Sequence, residues 1–203
     1  MRRQWTAVLL LPLAVVVAVA GSSMYVQEYW WKRGFHQAAP VASDGSVTIT
    51  DEYDDGFLRY PIEATVRLQS ARQVTELPGA FAPAELPDGA ALWELRLAWR
   101  ADPDVSLFGC QVALFDTAGV QYVPDQLTYA PGAPVPSHDC VPDETPGPEP
   151  QVGSDAPPAL APGEDPRPTS WSTRVYVLTA DDATPETVRV WWFLPRYGEL
   201  PVG

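Results

Sequence analysis

The sequence predicts an all-β exported domain, a two-sheet antiparallel sandwich, preceded by a single N-terminal transmembrane helix. An uncharged apolar run follows two arginines at the start of the chain, apolar residues recur at every second position from Ser46 onward, and tryptophans stand inside those alternating runs. No stretch after Gln37 has the 3.6-residue period of an amphipathic helix.

The apolar run reads AVLLLPLAVVVAVA from Ala7 to Ala20. A buried helix of a soluble protein needs a polar side, and this run has none. Two readings stay open. A cleavable signal peptide finds its small-x-small site in Ala18-Val19-Ala20. A signal anchor over residues 5–26 reaches the roughly 20 residues that a bilayer needs. The flanks favour the anchor, with Trp5 at the cytoplasmic edge and Tyr25, Tyr29, Trp30 and Trp31 crowding the other membrane interface. The expected order is therefore a cytoplasmic tip (1–4) oriented by Arg2 and Arg3, one span (5–26), a juxtamembrane helix and linker (27–43) with Gly34 as helix stop, and an extracytoplasmic domain (44–203). The chain is expected in the cell membrane as a single-pass protein. No cysteine follows the apolar run to take a lipid, the first being Cys110.

Net charge is −13, divided unevenly. Arg2, Arg3, Lys32 and Arg33 against Glu28 put +3 at the front, which leaves −16 for the rest. A domain that acidic repels nucleic acid and anionic headgroups, so neither is expected as a partner. Lysine occurs once and asparagine not at all, a bias that points to a high-GC genome and excludes any N-glycosylation sequon.

Strands follow from the alternation, in order. Ser46 to Thr50 makes a weak opening strand. Ile62, Ala64, Val66 and Leu68 alternate with polar neighbours, as do Trp93, Leu95, Leu97 and Trp99. Phe108, Cys110, Val112 and Leu114 form another inward set, and Asp116-Thr117-Ala118-Gly119 turns the chain into Val120 to Val123. Trp171 to Leu178 and Thr187 to Leu194 repeat the pattern, the last with Trp191 and Trp192 on opposite faces. One of these two belongs to the core, and the other is the candidate contact for a partner or for the membrane-proximal helix. Seven or so short strands fit a sandwich, with a small closed barrel as the alternative.

Residues 130–168 break the alternation with twelve prolines, seven acids and a single basic residue, Arg167. A segment with so little apolar mass is expected to be a long disordered surface loop. Cys140 lies in it, and Cys110 in the preceding strand. In an exported chain the only two cysteines are expected to form a disulfide, worth about 3–4 kcal/mol for a loop of this length. A reactive thiol would need a thiolate-stabilising neighbour, for which His138 is the local candidate.

Catalytic chemistry finds little support. Two histidines, His36 and His138, supply no ligand-spaced pair, and no G-x-S-x-G elbow or phosphate-cradling glycine loop occurs. Asp51-Glu52-Tyr53-Asp54-Asp55-Gly56 echoes half a calcium loop, but Tyr53 takes the third place and Ile62 the twelfth, where a bidentate glutamate belongs. An acidic hairpin turn explains it better. Glu94, on a strand otherwise alternating with apolar residues, is the carboxylate to examine for glycoside-type hydrolysis. No cofactor and no metal site is expected, and the faint echo of a sortase signal in the terminal Glu199-Leu200-Pro201-Val202-Gly203 lacks the threonine and the hydrophobic tail and reads as noise.

The order of basic tip, apolar helix, short stalk, Ala-Leu-Trp-Glu-Leu-Arg-Leu strand and Gly109-Cys110-Gln111-Val112-Ala113-Leu114-Phe115-Asp116-Thr117-Ala118-Gly119 strand and turn resembles actinobacterial cell-surface proteins. These carry one immunoglobulin-like ectodomain of the type found in immunoprotective surface antigens. The resemblance covers residues 44–195 and implies an immunoglobulin-like sandwich; the proline-rich insertion departs from the pattern. The function expected is a non-catalytic, membrane-anchored module that binds or scaffolds a protein partner in the envelope. An exported carboxylate-dependent hydrolase and a calcium-stabilised surface module are the alternatives.

Overall fold

A computed structural model describes residues 15–19, 21–75, 86–124, 139–151 and 153–203. Among them, strands β1 (Gln37–Ala38), β2 (Ser46–Asp54), β3 (Arg59–Val74), β4 (Ala90–Arg100), β5 (Gln111–Asp116), β6 (Gln121–Tyr122), β7 (Ser170–Ala180), β8 (Pro185–Trp191) and β9 (Arg196–Pro201) form two separate sheets. Sheet I has the order β2-β3-β4-β7, and sheet II the order β1-β9-β8-β5-β6. All neighbours are antiparallel except β1, which runs parallel to β9. The chain is mostly β, and two open sheets rather than a closed barrel enclose its core.

Alternation builds that core as the sequence predicts. Val47, Ile49, Ile62, Ala64, Val66, Leu95, Leu97, Trp99, Val175 and Val177 of sheet I meet Val112, Leu114, Val188, Val190 and Leu200 of sheet II, all buried. Trp99 satisfies its indole by donating to Thr173 Oγ1 at 2.9 Å. A bulge in β3 between Leu68 and Ser70 adds one residue to that strand and flips its parity. Ala71 then faces the core opposite Leu95, and Arg72 is turned outward opposite Glu94.

Three expectations are corrected. Within 27–43 the helix continues and stops before Gly34 as expected, but the stretch beyond is not a plain linker. The helical turns end in a π-helix, Val26–Trp31, the chain bends at Gly34, and Gln37–Ala38 joins sheet II. His36 and Gln37 donate main-chain N–H groups to Pro195 O, and Ala39 donates to Tyr197 O. The sandwich therefore begins ahead of residue 44.

The second correction concerns the C-terminus, which is the full strand β9 between β1 and β8 with Tyr197 and Leu200 buried. Strand β8 stops at Trp191 instead of continuing to Leu194, and Cys110 and Phe108 precede β5 in a turn, with Phe108 exposed rather than inward. Third, the described part of 130–168 is ordered. Glu149 and Ala159 exchange both main-chain hydrogen bonds at 3.1 Å, and Cys140, Val141, Pro148 and Pro150 are buried.

Gly198 lets β9 cross close over β2. A Cβ there would stand 2.8 Å from Ile49 Cδ1 and 3.2 Å from Val47 Cγ1, both core residues. Gly198→Ala is therefore expected to destabilise the chain by about 1–3 kcal/mol through overpacking. Urea unfolding checks this, and an unchanged midpoint would show that the two sheets can separate without cost.

Candidate functional site

Chain direction gathers four segments at one end of the sandwich. The β2–β3 turn, the β4–β5 connection, the approach to β7 and the β8–β9 connection all lie there, because Asp54 pairs with Arg59, Arg100 with Ser170, and Gln111 with Trp191. Strand β1 parallels the start of β9, so the N-terminal helix also meets the body at this end.

The loops are held by polar bonds more than by apolar mass. The disulfide Cys110–Cys140 is present, with Cα atoms 6.2 Å apart across a separation of 30 residues. Trp171 Nε1 donates to Cys140 O at 2.9 Å, and the Arg167 guanidinium lies over the Trp171 ring at 4.9 Å. Arg167 is 1 % exposed and faces main-chain oxygens, donating to Pro146 O at 2.8 Å, Asp102 O at 2.9 Å and Val105 O at 2.7 Å. Burial lowers its pKa to about 10, partly opposed by the charge of Asp102. The planar fork suits the task, since one side chain reaches three carbonyls from two separate loops. Gly147 makes room: at φ +91, its Cβ would stand 2.6 Å from Arg167 Nη1. Trp192 donates from Nε1 to Leu107 O at 3.1 Å, which ties the β4–β5 connection to sheet II.

On this frame sit aromatic side chains that water still reaches. Tyr53 is buried, stacks on Tyr60 at 4.7 Å, and takes the edges of Phe108 at 6.4 Å and Phe193 at 5.7 Å. Phe108 and Phe193 remain 40 % and 37 % exposed, and Phe57 in the β2–β3 turn is 71 % exposed. A depression of about 230 Å³ opens beside Phe108, walled by Cys110, Cys140, Pro146, Pro148 and Glu149. That is smaller than ordinary small-molecule sites, roughly 300–1,000 Å³, and suits a single inserted side chain.

The acids of the would-be calcium loop are engaged by the chain itself. Asp51 is buried, accepting from Phe193 N at 3.1 Å and Arg196 Nη1 at 3.2 Å. Asp54 accepts from Gly56 N and from Arg59, and Asp55 from Phe57 N, Leu58 N and the Tyr53 hydroxyl. These are the side-chain-to-backbone bonds of a tight turn. Among the described residues no three of His, Cys, Asp and Glu stand together as a metal site.

Glu94 lies far from this end, on the outer face of sheet I. Its Oε1 accepts from Arg72 Nε and Nη2 at 2.9 and 2.8 Å, and Oε2 from the Tyr176 hydroxyl at 2.9 Å. Burial works to raise its pKa, but the bonds from Arg72 and Tyr176 outweigh burial and hold it below the ordinary value. Tyr176 is pushed up to about 12 by burial and by Glu94. A general acid needs the opposite shift.

Of the expected membrane-interface residues, Tyr25, Tyr29, Trp30 and Trp31 are exposed on the helix; Trp5 lies outside the described residues, as do 1–14 and 20. Among the described residues no helix is long and apolar enough to cross a membrane. Trp30 and Trp31 pack on His36 at 4.1 and 4.8 Å, while His138 lies outside the described residues. The two adjacent tryptophans divide as the alternation requires. Trp192 is in the main core, whereas Trp191 joins Ala113, Phe115 and Tyr197 on the outer face of sheet II. Phe35, just after the helix, presents its edge to Phe115, Trp191 and Tyr197 at 5.0–5.4 Å, and Arg189 caps the cluster.

The chain matches no protein-family model, no curated protein and no solved structure.

Sequence reasoning passed over Arg167, Phe35 and the exposed phenylalanines. Arg167 carried a usable signal, as the single basic residue in a long acidic, proline-rich segment.

Arg167→Met leaves three buried carbonyls without a donor and is expected to cost about 3 kcal/mol or more. Arg167→Lys, a single-point donor, should not rescue it. Chemical unfolding and proteolytic nicking between Cys140 and Arg167 read the effect, and wild-type behaviour of both variants would refute the clamp. Glu94 gives a pH signature. Its lowered folded pKa contributes stability that is present above the unfolded value and lost as pH falls through the folded one. Because Arg72 stays largely in solvent, the contribution is about 1 kcal/mol. The stability difference between wild type and Glu94→Gln should be flat near pH 7, shrink as pH falls through the ordinary glutamate range and vanish only below the lowered folded value.

Proposed function

We propose that the chain is a non-catalytic extracytoplasmic binding module, held at the membrane by its N-terminal helix, that engages an envelope or membrane protein through the loop end of the sandwich. The observation that carries this is the placement of Phe57, Phe108 and Phe193, exposed together at the end where the helix joins. Large aromatics on a rigid base lose little conformational entropy on binding and dominate protein interfaces. Here the base is stiffened by the disulfide, the Tyr53–Tyr60 stack and Arg167.

Anchoring rests on the sequence, in the apolar run, the preceding arginines and the aromatic flank. What the fold adds in support is a stiff connection. Phe35 is seated on sheet II and β1 is paired to β9, so only Lys32, Arg33 and Gly34 separate the helix from the body. A module joined so closely presents its loop end at a set height and angle.

The strand succession supports an immunoglobulin-like reading of the sandwich. From β3 onward the chain places three strands side by side as β3-β4-β7 and four as β9-β8-β5-β6, crossing between sheets at β4–β5, β6–β7 and β7–β8. This is a Greek-key succession with β2 added at one edge, and β1 beside β9 as a short parallel edge strand.

The test is capture of partners from detergent extracts with the full chain and with a Phe57→Ser/Phe108→Ser/Phe193→Ser variant. Wild type should bring down a reproducible partner that the variant loses by about tenfold or more at equal folded content. A wild-type chain that remains alone, or a variant that captures equally well, would defeat the proposal.

A further inference from the structure

The outer face of sheet I has a composition unlike the rest of the molecule. Between a row that sets Glu63 beside Thr50 and a row that pairs Arg72, Glu94 and Tyr176, three further rows of paired residues cross it. The first is Thr48, Thr65, Arg100 and Ser170, the second Ser46, Arg67, Ala98 and Ser172, and the third Ser70, Arg96 and Arg174. Their neighbours along each strand, Val47, Val66, Leu95, Leu97, Trp99, Thr173 and Val175, point inward and are buried, so these rows point out. Eleven positions hold four arginines, six hydroxyls, one alanine and no acid, in a chain where 26 acids face 13 basic residues.

A solvated strand face explains polar residues there, but not this selection. Arg96 and Arg174 are direct cross-strand partners, an arrangement of like charges that destabilises a sheet. Among the described residues Arg67, Arg96 and Arg100 form no ion pair, although ion pairs engage Arg59, Arg72, Arg189 and Arg196. Ser170 and Ser172 likewise make no side-chain hydrogen bond there, and Ala98 leaves a low floor between the arginines. The result is an open depression of about 600 Å³ bounded by Arg67, Arg100, Thr65, Ser170 and Ser172, with Asp44 at its rim. Asp44 accepts from the Ser46 hydroxyl and main chain, and these bonds, with a smaller attraction from Arg67, lower its pKa.

We propose that this face is a binding site for an anionic glycan, a hydroxyl-rich polymer bearing carboxylate or phosphate groups. The guanidinium fork grips either anion in two-point fashion, and the serines and threonines match sugar hydroxyls. Bound anions also remove the Arg96–Arg174 repulsion. The site reaches the loop end at Arg100 and Ser170 but shares no residue with its aromatic cluster, so either proposal can fail alone.

The experiment uses the full chain in detergent micelles, titrated at low salt with polygalacturonate, inorganic polyphosphate and neutral dextran, with phosphatidylglycerol vesicles as a fourth arm. Saturable binding to polygalacturonate, weaker binding to polyphosphate, which has the charge without the hydroxyls, and none to dextran is expected, weakening as salt rises. Arg96→Ser should weaken it about threefold, and Arg67→Ser/Arg96→Ser/Arg100→Ser about tenfold or more, while Arg59→Ser at the distant hairpin changes it less than about twofold. Circular dichroism confirms equal folding. The proposal falls if polygalacturonate does not bind, if polyphosphate binds more tightly than polygalacturonate, if only the vesicles bind, or if Arg59→Ser weakens binding as much as Arg96→Ser.

Discussion

A β-sheet has two faces, and each must be covered by protein or made fit for water. The rest of this molecule can be read from how it meets that constraint. The two inner faces cover each other through the alternating Val, Ile, Leu and Trp side chains of β2, β3, β4, β5, β7 and β8. At roughly 25 cal/mol per Å² of apolar surface, that mutual burial is the principal force holding the sheets together. The outer face of sheet II is apolar around Trp191 and Phe115 and is covered by the chain's own approach segment through Phe35. The outer face of sheet I is closed only near Leu92, which Val74, Leu86, Tyr176 and Leu178 surround, and it turns polar from Glu94 onward. Both surfaces offered for binding lie where this coverage stops.

The loop end meets the constraint by a different route. Prolines lack the N–H for a ladder and the segment from Cys140 to Arg167 is poor in large apolar residues, so ordinary hydrophobic docking has little to work with. Arg167 substitutes for it. A buried guanidinium without hydrogen-bond partners would be costly, but here Nη1 and Nη2 supply donors to three carbonyls that the irregular backbone leaves free, and only Nε stays buried without a partner. The disulfide and Trp171 fix the other end of the same segment. Order in this loop therefore follows from satisfied polar groups around one cation, with the cost of bringing the loop in reduced by the cross-link.

This division explains what was legible in the sequence. Alternation in Ile62 to Leu68, Trp93 to Trp99 and Trp171 to Leu178 reports burial directly, so those strands and their inward residues could be read. Composition likewise led to the Cys110–Cys140 pair. Strand β9 was hidden because its signals conflict: Gly198 is there for close approach to Ile49 and Val47, and Pro201 ends the strand, yet both look like turn residues. Strand β1 is two residues long, too short for any period. Arg167 looked like loop charge because burial of an arginine depends on carbonyls from distant parts of the chain. The aromatic end and the basic face are likewise assembled across strands. Arg67, Arg96, Arg100 and Arg174 each occupy the ordinary polar half of an alternating strand, and only strand register brings them to one side.

Net charge describes such a molecule poorly. Fields in salt decay over about 8–10 Å. Arg59 in the acidic hairpin stands six residues along β3 from Thr65, about 20 Å at the rise of an extended strand. A ligand over the middle of sheet I is thus screened from Asp54 and Asp55, and the acids nearest to it are Asp44 at the rim and Glu63 and Glu94 in the flanking rows. A partner at the loop end meets aromatic rings set among acids such as Asp102, Asp104 and Asp143. Opposite charge at separate places steers two partners without competition between them, and an overall charge of −13 still keeps copies of the chain apart. The acids at the loop end also disfavour contact between that end and an anionic polymer. Segregation of charge thus assigns each surface its own class of ligand, which a uniform charge of the same total would not do.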